Sequence, residues 1–263
     1  MSTLSLTVAD STTMLRRQLK HMRRYVSLTV MLIGIPVIFL LLFVYVFGGT
    51  LGAGLGGVSG GRAEYVNFVT PGILLMAVAG VAQGTAISVA MDMTQGIVAR
   101  FRTMSISRTA VLTGHVLAAL VQTMLSVAVV IGVALLIGFR SGAGLVEWLA
   151  LAGMLVLFSL AITWLSVALG MVPKTVEAAS NLPMPLMLLP FLGSGFVPTD
   201  SMPAALRWFA EYQPFTPVID TLRGLLMGTP VGDRAVIAIA YCAAITLGGY
   251  LWAKALYNRD PSR

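Results

Sequence analysis

Charge is what this sequence has least of. Only 10% of its 263 residues are Asp, Glu, Lys or Arg, against about 25% in soluble domains. That shortage excludes an ordinary water-soluble globule. Cysteine is scarcer still: Cys242 stands alone, which rules out an intrachain disulfide and a cysteine-based metal cage. The histidines are His21 and His115, and neither has a partner at metal-ligand spacing. No nucleophile–base arrangement suited to a membrane enzyme is visible. A Gly-Lys pair is absent from the whole sequence, so a phosphate-binding loop of the ATPase kind is absent too.

Apolar residues are abundant, at 57% with a mean hydropathy of +0.90. Six long apolar stretches run approximately over Val26–Phe47, Phe68–Ala90, Val116–Gly138, Trp148–Val172, Ala178–Gly195 and Ala235–Leu256. Each is long enough for a helix to cross a hydrocarbon core, which takes about 20 residues. Runs such as Leu32–Phe47 lack polar/apolar alternation, so membrane strands fit poorly. The fifth stretch holds Pro183, Pro185 and Pro190, which kink or break a helix where neighbours satisfy the freed carbonyls. The first follows a polar, basic segment without a small-residue cleavage site, as an anchor does and a removable signal does not. The expected fold class is all-α integral membrane with six transmembrane helices.

Lys and Arg set the expected orientation. With six spans both termini share one side. That side carries Arg16, Arg17, Lys20, Arg23, Arg24, Arg100, Arg102, Arg108, Lys174, Lys254, Arg259 and Arg263. The other side carries Arg62, Arg140, Arg207, Arg223 and Arg234, and the larger share of the acids. The positive-inside rule puts both termini in the cytoplasm of a cell whose inner (plasma) membrane the chain crosses repeatedly. Much of the +7 net charge is then orientation chemistry, and nucleic acid need not be invoked as a partner.

The segments between spans have distinct patterns. Residues 10–25 read as an amphipathic helix with Leu15, Leu19, Met22 and Val26 on one stripe and Arg16, Arg17 and Lys20 among the cations around it. Such a helix lies in the headgroup layer over anionic membrane lipid, or serves only as a positive flank. Residues 48–61 carry eight glycines and read as a flexible outer loop of unassigned role. In Asp92–Arg108, Ile97, Phe101 and Met104 recur at helical spacing among arginines, a knob pattern for another protein's groove or for packing on the chain's own helix ends. Residues 196–234 are too interrupted by proline to span and too apolar for a free loop; short helices at or dipping into the outer leaflet are expected. No Asp, Glu, Lys or Arg falls centrally in a span, which counts against an ion-driven carrier. Gln83, Gln122 and Asn181 are interior polar residues suited to a transport pathway or, more simply, to hydrogen bonds between helices.

The run Gly195-Phe196-Val197-Pro198, then Met202-Pro203, Leu206-Arg207-Trp208, and Gln213-Pro214-Phe215-Thr216-Pro217 with Asp220 and Arg223-Gly224, resembles the signature of type-2 ABC transporter permeases. Its closest flavour is the daunorubicin-resistance-like group of drug exporters. Asp92, Gly96, Arg100-Phe101-Arg102 and Ser105-Ile106-Ser107-Arg108 look like that group's coupling segment. The resemblance covers nearly the whole chain. It implies a non-catalytic membrane subunit that pairs with a second permease, identical or related, and with two copies of a separate ABC ATPase subunit. It implies no cofactor in this chain, with ATP and Mg bound in the partner ATPase. On this resemblance Ile97, Arg100, Phe101, Met104 and Ser105 match the coupling helix, and Arg16, Arg17 and Lys20 match the interfacial helix. Pro198, Pro203, Trp208, Pro214, Pro217, Asp220 and Arg223 match the outer re-entrant helices.

The expected organisation is a tail and interfacial helix over 1–25, a six-span transmembrane domain over 26–256, and a short tail over 257–263. The expected function is the permease subunit of an ATP-driven exporter of hydrophobic cargo, a drug, lipid or polyketide-like molecule. Two rivals stand beside it: an ATP-independent secondary carrier, and a non-transporting membrane scaffold that recruits a cytosolic protein through Asp92–Arg108.

Overall fold

The computed structural model describes residues 3–24, 26–54, 61–95, 108–173 and 175–258, and among them every regular element is a helix or helical turn. Helix α1 covers Thr3–Arg24. Helix α2, Val26–Leu42, continues through a π turn at Phe43–Phe47 into α3, Gly48–Ala53. Long helices follow: α4, Arg62–Thr94; α5, Arg108–Leu136; and α6, Leu145–Met171. Two short ones come next, α7, Val176–Asn181, and α8, Met184–Leu188. A 3-10 turn at Thr199–Ser201 leads to α9, Ala204–Tyr212, and α10, Phe215–Met227. Helix α11, Asp233–Asn258, closes the described chain.

Five helical stretches are long and apolar enough to cross a membrane: Thr29–Ala53, Arg62–Thr94, Ala110–Leu136, Leu145–Met171 and Asp233–Asn258. They match five of the six expected spans, displaced by a few residues at their ends. The expected fifth span, Ala178–Gly195, is instead broken into α7, α8 and turns. Its prolines explain this, since Pro183, Pro185 and Pro190 supply no N–H to the helical ladder. Two carbonyls left over along the broken segment are met from outside it. Gln83 Nε2 donates to the Ser180 carbonyl at 2.9 Å, and Gln213 Nε2 donates to that of Leu189 at 2.8 Å. Breaking a helix inside a bundle is tolerable only with such substitutes.

Burial follows composition. Helix α4 is apolar all round and central, with every residue from Val69 to Ala82 buried. Helix α6 packs between α4 and α11, and small residues let the backbones touch. A Cβ added at Gly170 of α6 would stand 2.5 Å from the Ala86 carbonyl oxygen of α4. One added at Gly249 of α11 would stand 2.8 Å from the Leu165 nitrogen of α6. Close backbone approach of this kind characterises helices packed without a hydrophobic driving force between them. Helix α11 buries Ala238, Cys242, Gly249, Ala253 and Tyr257 along one seam, while Val236, Ile239, Leu247 and Leu251 face outward. Helix α2 likewise exposes Val30, Met31 and Ile38. Such apolar outer faces belong in lipid or against another membrane chain.

The glycine-rich segment is not wholly a loop. Gly48–Ala53 is helical, with Gly48 and Gly52 buried, and a buried backbone must pair its own N–H and C=O groups. The remainder of that expected loop, 55–60, lies outside the described residues.

Candidate functional site

The two ends of the bundle each hold a polar cluster. At one end α1 packs on α5, and α4 continues to Thr94 rather than ending before Asp92. Asp92 therefore sits in the last turn of a helix, where the sequence placed it at the head of a loop. Its carboxylate accepts two bonds from Arg17 of α1, NH1 to Oδ2 at 3.1 Å and NH2 to Oδ1 at 2.9 Å. A fork of this kind matches a carboxylate in geometry as well as charge. His115 of α5 brings Nε2 to 3.1 Å from Asp92 Oδ2. Because a carboxylate only accepts, Nε2 donates to Asp92, and Gln18 Nε2 lies 3.1 Å from both ring nitrogens. Three helices are thus joined through one carboxylate.

The buried side of α1 differs from the expected stripe. Among its described side chains Met14 and Gln18, one turn apart, are the buried ones, while Leu15, Leu19 and Met22 are partly covered. A rotation of about one residue separates the two readings, which is 100° on a 3.6-residue helix. Arg16 and Lys20 stay exposed. Among the described residues no group of three His, Cys, Asp or Glu could hold a metal.

At the opposite end α10 is inserted between α4, α6 and α11. Pro214 and Pro217 sit at its start, where a missing N–H costs nothing. Gly228 ends it in the left-handed conformation, φ +67°. Arg223 is the hub here: NH1 donates to Asp220 Oδ1 at 3.0 Å and NH2 donates to the Ser194 carbonyl at 2.5 Å. Its guanidinium carbon lies 4.1 Å from the Phe68 ring centroid. Ser194 Oγ donates to the same Asp220 oxygen at 2.6 Å. Three elements meet in that buckle: α4, the turns after α8, and α10, with the Asp220 side chain between them. Helix α9 is peripheral, with Trp208 and Tyr212 exposed and Arg207 paired to Asp200 and Glu211.

The sequence-selected residues are divided accordingly. Arg17 joins the first cluster while Arg16 and Lys20 flank it. Asp220 and Arg223 form the second, with Pro198 and Pro203 leading the turn and α9, and Trp208 on the outside of α9. Ile97, Arg100, Phe101, Met104 and Ser105 lie outside the described residues. Of the interior polar residues, Gln83 is a helix tie to Ser180, Asn181 is exposed, and Gln122 is buried with Nε2 unpartnered. His115, Gln18, Ser194 and Gln213 were not singled out as site residues. His115 and Asp92 had no spacing to betray them, since only the pairing of α4 with α5 brings them together.

A family description, "ABC-2 type transporter", matches residues 11–227, a range that includes both clusters. The chain is 30% identical over 196 residues to the daunorubicin resistance ABC transporter permease protein DrrB1 of Streptomyces coeruleorubidus, covering 74% of this chain and 66% of that one. It is 24% identical over 160 residues to the probable doxorubicin resistance ABC transporter permease protein DrrC of Mycobacterium tuberculosis, covering 61% and 58%. The matched region thus spans somewhat less than two thirds of these relatives' length.

Proposed function

The chain belongs to the ABC-2 type transporter family, and from that premise we propose that it is the membrane-spanning permease subunit of an ATP-driven exporter. In this reading it pairs with a second permease, identical or related, and each half is driven by a separate ATPase subunit that binds ATP and Mg. The broken segment 176–198 serves as the sixth crossing, and α9 and α10 form a re-entrant outer region. Residues 1–25 are a cytoplasmic tail and interfacial helix, 26–256 the transmembrane domain and 257–263 a second cytoplasmic tail. The end bearing α1 faces the cytoplasm of the inner (plasma) membrane. Cargo is hydrophobic and moves between the two permeases; the resistance named in both relatives supports a drug-like molecule.

The observation that carries the coupling role is the Asp92 cluster. Asp92 and His115 stand shortly before and after the segment 96–107, and both are tied to α1. A push delivered to that segment by an ATPase is thereby shared among α1, α4 and α5 rather than absorbed by one helix end. Ile97, Phe101 and Met104 are the apolar knob in this reading, with Arg100 and Ser105 beside it.

Replacing Phe101 by Asp tests this. An unpaired charge buried in a desolvated contact costs several kcal/mol, enough to weaken docking a hundredfold or more. The expected protein inserts and folds, yet no longer retains its ATPase on co-purification and no longer drives ATP-dependent cargo uptake in inverted vesicles. Phe101→Leu keeps the apolar contact and stays near wild type. Normal ATPase retention and transport by Phe101→Asp would remove the segment from the coupling role. Uptake by wild-type vesicles without ATP or the ATPase would favour the secondary carrier instead.

A further inference from the structure

Beneath the Asp92 cluster lies a cavity of about 1190 Å³ between α1, α2, α4 and α5. That exceeds the roughly 300–1,000 Å³ of ordinary small-molecule pockets. Its lining on α4 runs from Gln95 to Gly84, about 16 Å at 1.5 Å per residue. The lining changes character along that depth. Arg16 and Lys20 stand at the shallow end, one helical turn apart on α1, and among the described residues neither has an ion-pair partner. Arg17 beside them is held by Asp92. Two like charges at this spacing repel each other, and an anion between them relieves the repulsion.

Deeper in, Leu32, Ile87 and Ala119 supply apolar wall. Gln122 is the exception: it is 8% exposed, lines the cavity, and its Nε2 has no hydrogen-bond partner. It stands two turns beyond His115 on α5, about 10 Å further along the axis. From the mouth inward the lining thus offers cations and then apolar wall, from Ile87 and Ala119 down to Leu32 beside Gly84.

We propose that this cavity binds one anionic glycerophospholipid, with its phosphate between Arg16 and Lys20 and an acyl chain along Ile87, Ala119 and Leu32. This is a site formed within one chain, and it is tested without reference to the cargo. Phosphate alone satisfies only the mouth; the apolar wall requires the chain.

The test is native mass spectrometry of the full chain, delipidated in mild detergent and titrated with phosphatidylglycerol, phosphatidylcholine or glycerol 3-phosphate. Phosphatidylglycerol should bind at least tenfold more tightly than the other two. The double substitution Arg16→Gln with Lys20→Gln should weaken it at least tenfold. Ser88→Phe, which fills the cavity from α4 and leaves every charge in place, should weaken it as much. Lys254→Gln removes a cation from α11, away from the cavity, and should leave binding unchanged. Equal binding of the two lipids overturns the proposal, as does equal loss in Lys254→Gln. Wild-type binding in both Ser88→Phe and the double variant overturns it as well. Competition by glycerol 3-phosphate at the lipid's own concentration would reduce the site to a phosphate site and end the lipid assignment.

Discussion

Arg17 closes two nitrogens on the two carboxylate oxygens of Asp92 across 75 positions of sequence, and the two partners are unequally covered. The Asp92 side chain is 10% exposed and that of Arg17 is 36% exposed. Removing Asp92 leaves a guanidinium that can turn to water and the buried His115 without this acceptor, a neutral loss smaller than a stranded charge. Removing Arg17 leaves a buried carboxylate with His115 alone, and a stranded buried charge is the expensive outcome. Arg17→Ala should therefore cost about 3 kcal/mol of stability, against about 1 kcal/mol for Asp92→Ala. Thermal unfolding of the detergent-solubilised protein gives the order; the reverse order would show that Asp92 has a water path.

At the other end, Arg223→Lys is the informative change. Lysine keeps the charge near Asp220 but has no planar fork to reach the Ser194 carbonyl at the same time, nor a flat face for Phe68. A loss of about 2 kcal/mol is expected, close to that of Arg223→Gln. The thermal midpoints of the two variants would decide it. A lysine variant as stable as wild type would mean that charge alone holds α10 in place.

Orientation is testable with single cysteines in a Cys242→Ala background. Lys254 is exposed on α11 near the buried Tyr257, at the α1 end, and Asp200 is exposed at the α10 end. The distribution of Lys and Arg predicts that Asp200→Cys reacts with an impermeant thiol reagent in intact cells and that Lys254→Cys reacts only after permeabilisation. Labelling of Lys254→Cys from outside with Asp200→Cys protected would mean an odd number of crossings, with 176–198 failing to span.

Hydropathy carried most of the fold. Five long helices were legible because each repeats one message, apolar residues over about 20 positions, and their neighbours only adjust the ends. The fifth stretch was legible in part: its prolines announced a break, but not which groups would take the freed carbonyls. Gln83 and Gln213 do so from elements 97 and 24 positions away from Ser180 and Leu189. In the buckle, Asp220 and Arg223 were visible as neighbours on one helix, while Ser194 was not. His115 was hidden more thoroughly. A lone histidine near a helix start has no local signature, and only the packing of α5 on α1 and α4 gives it Gln18 and Asp92.

The glycine contacts of α6 divide the molecule mechanically. Slipping α11 by one turn along α6 would bring Ile245 or Ala253 to the point that Gly249 occupies, and neither side chain fits against the Leu165 nitrogen. The same holds at Gly170, where Ser166 would meet the Ala86 carbonyl. Ratcheting is therefore blocked on both sides of α6. Helices α4, α6 and α11 are locked to one another as a block, so a push that reaches α4 through the Asp92 cluster shifts that block whole, while α1, α2, α5 and the proline-broken segment lie outside the two locks.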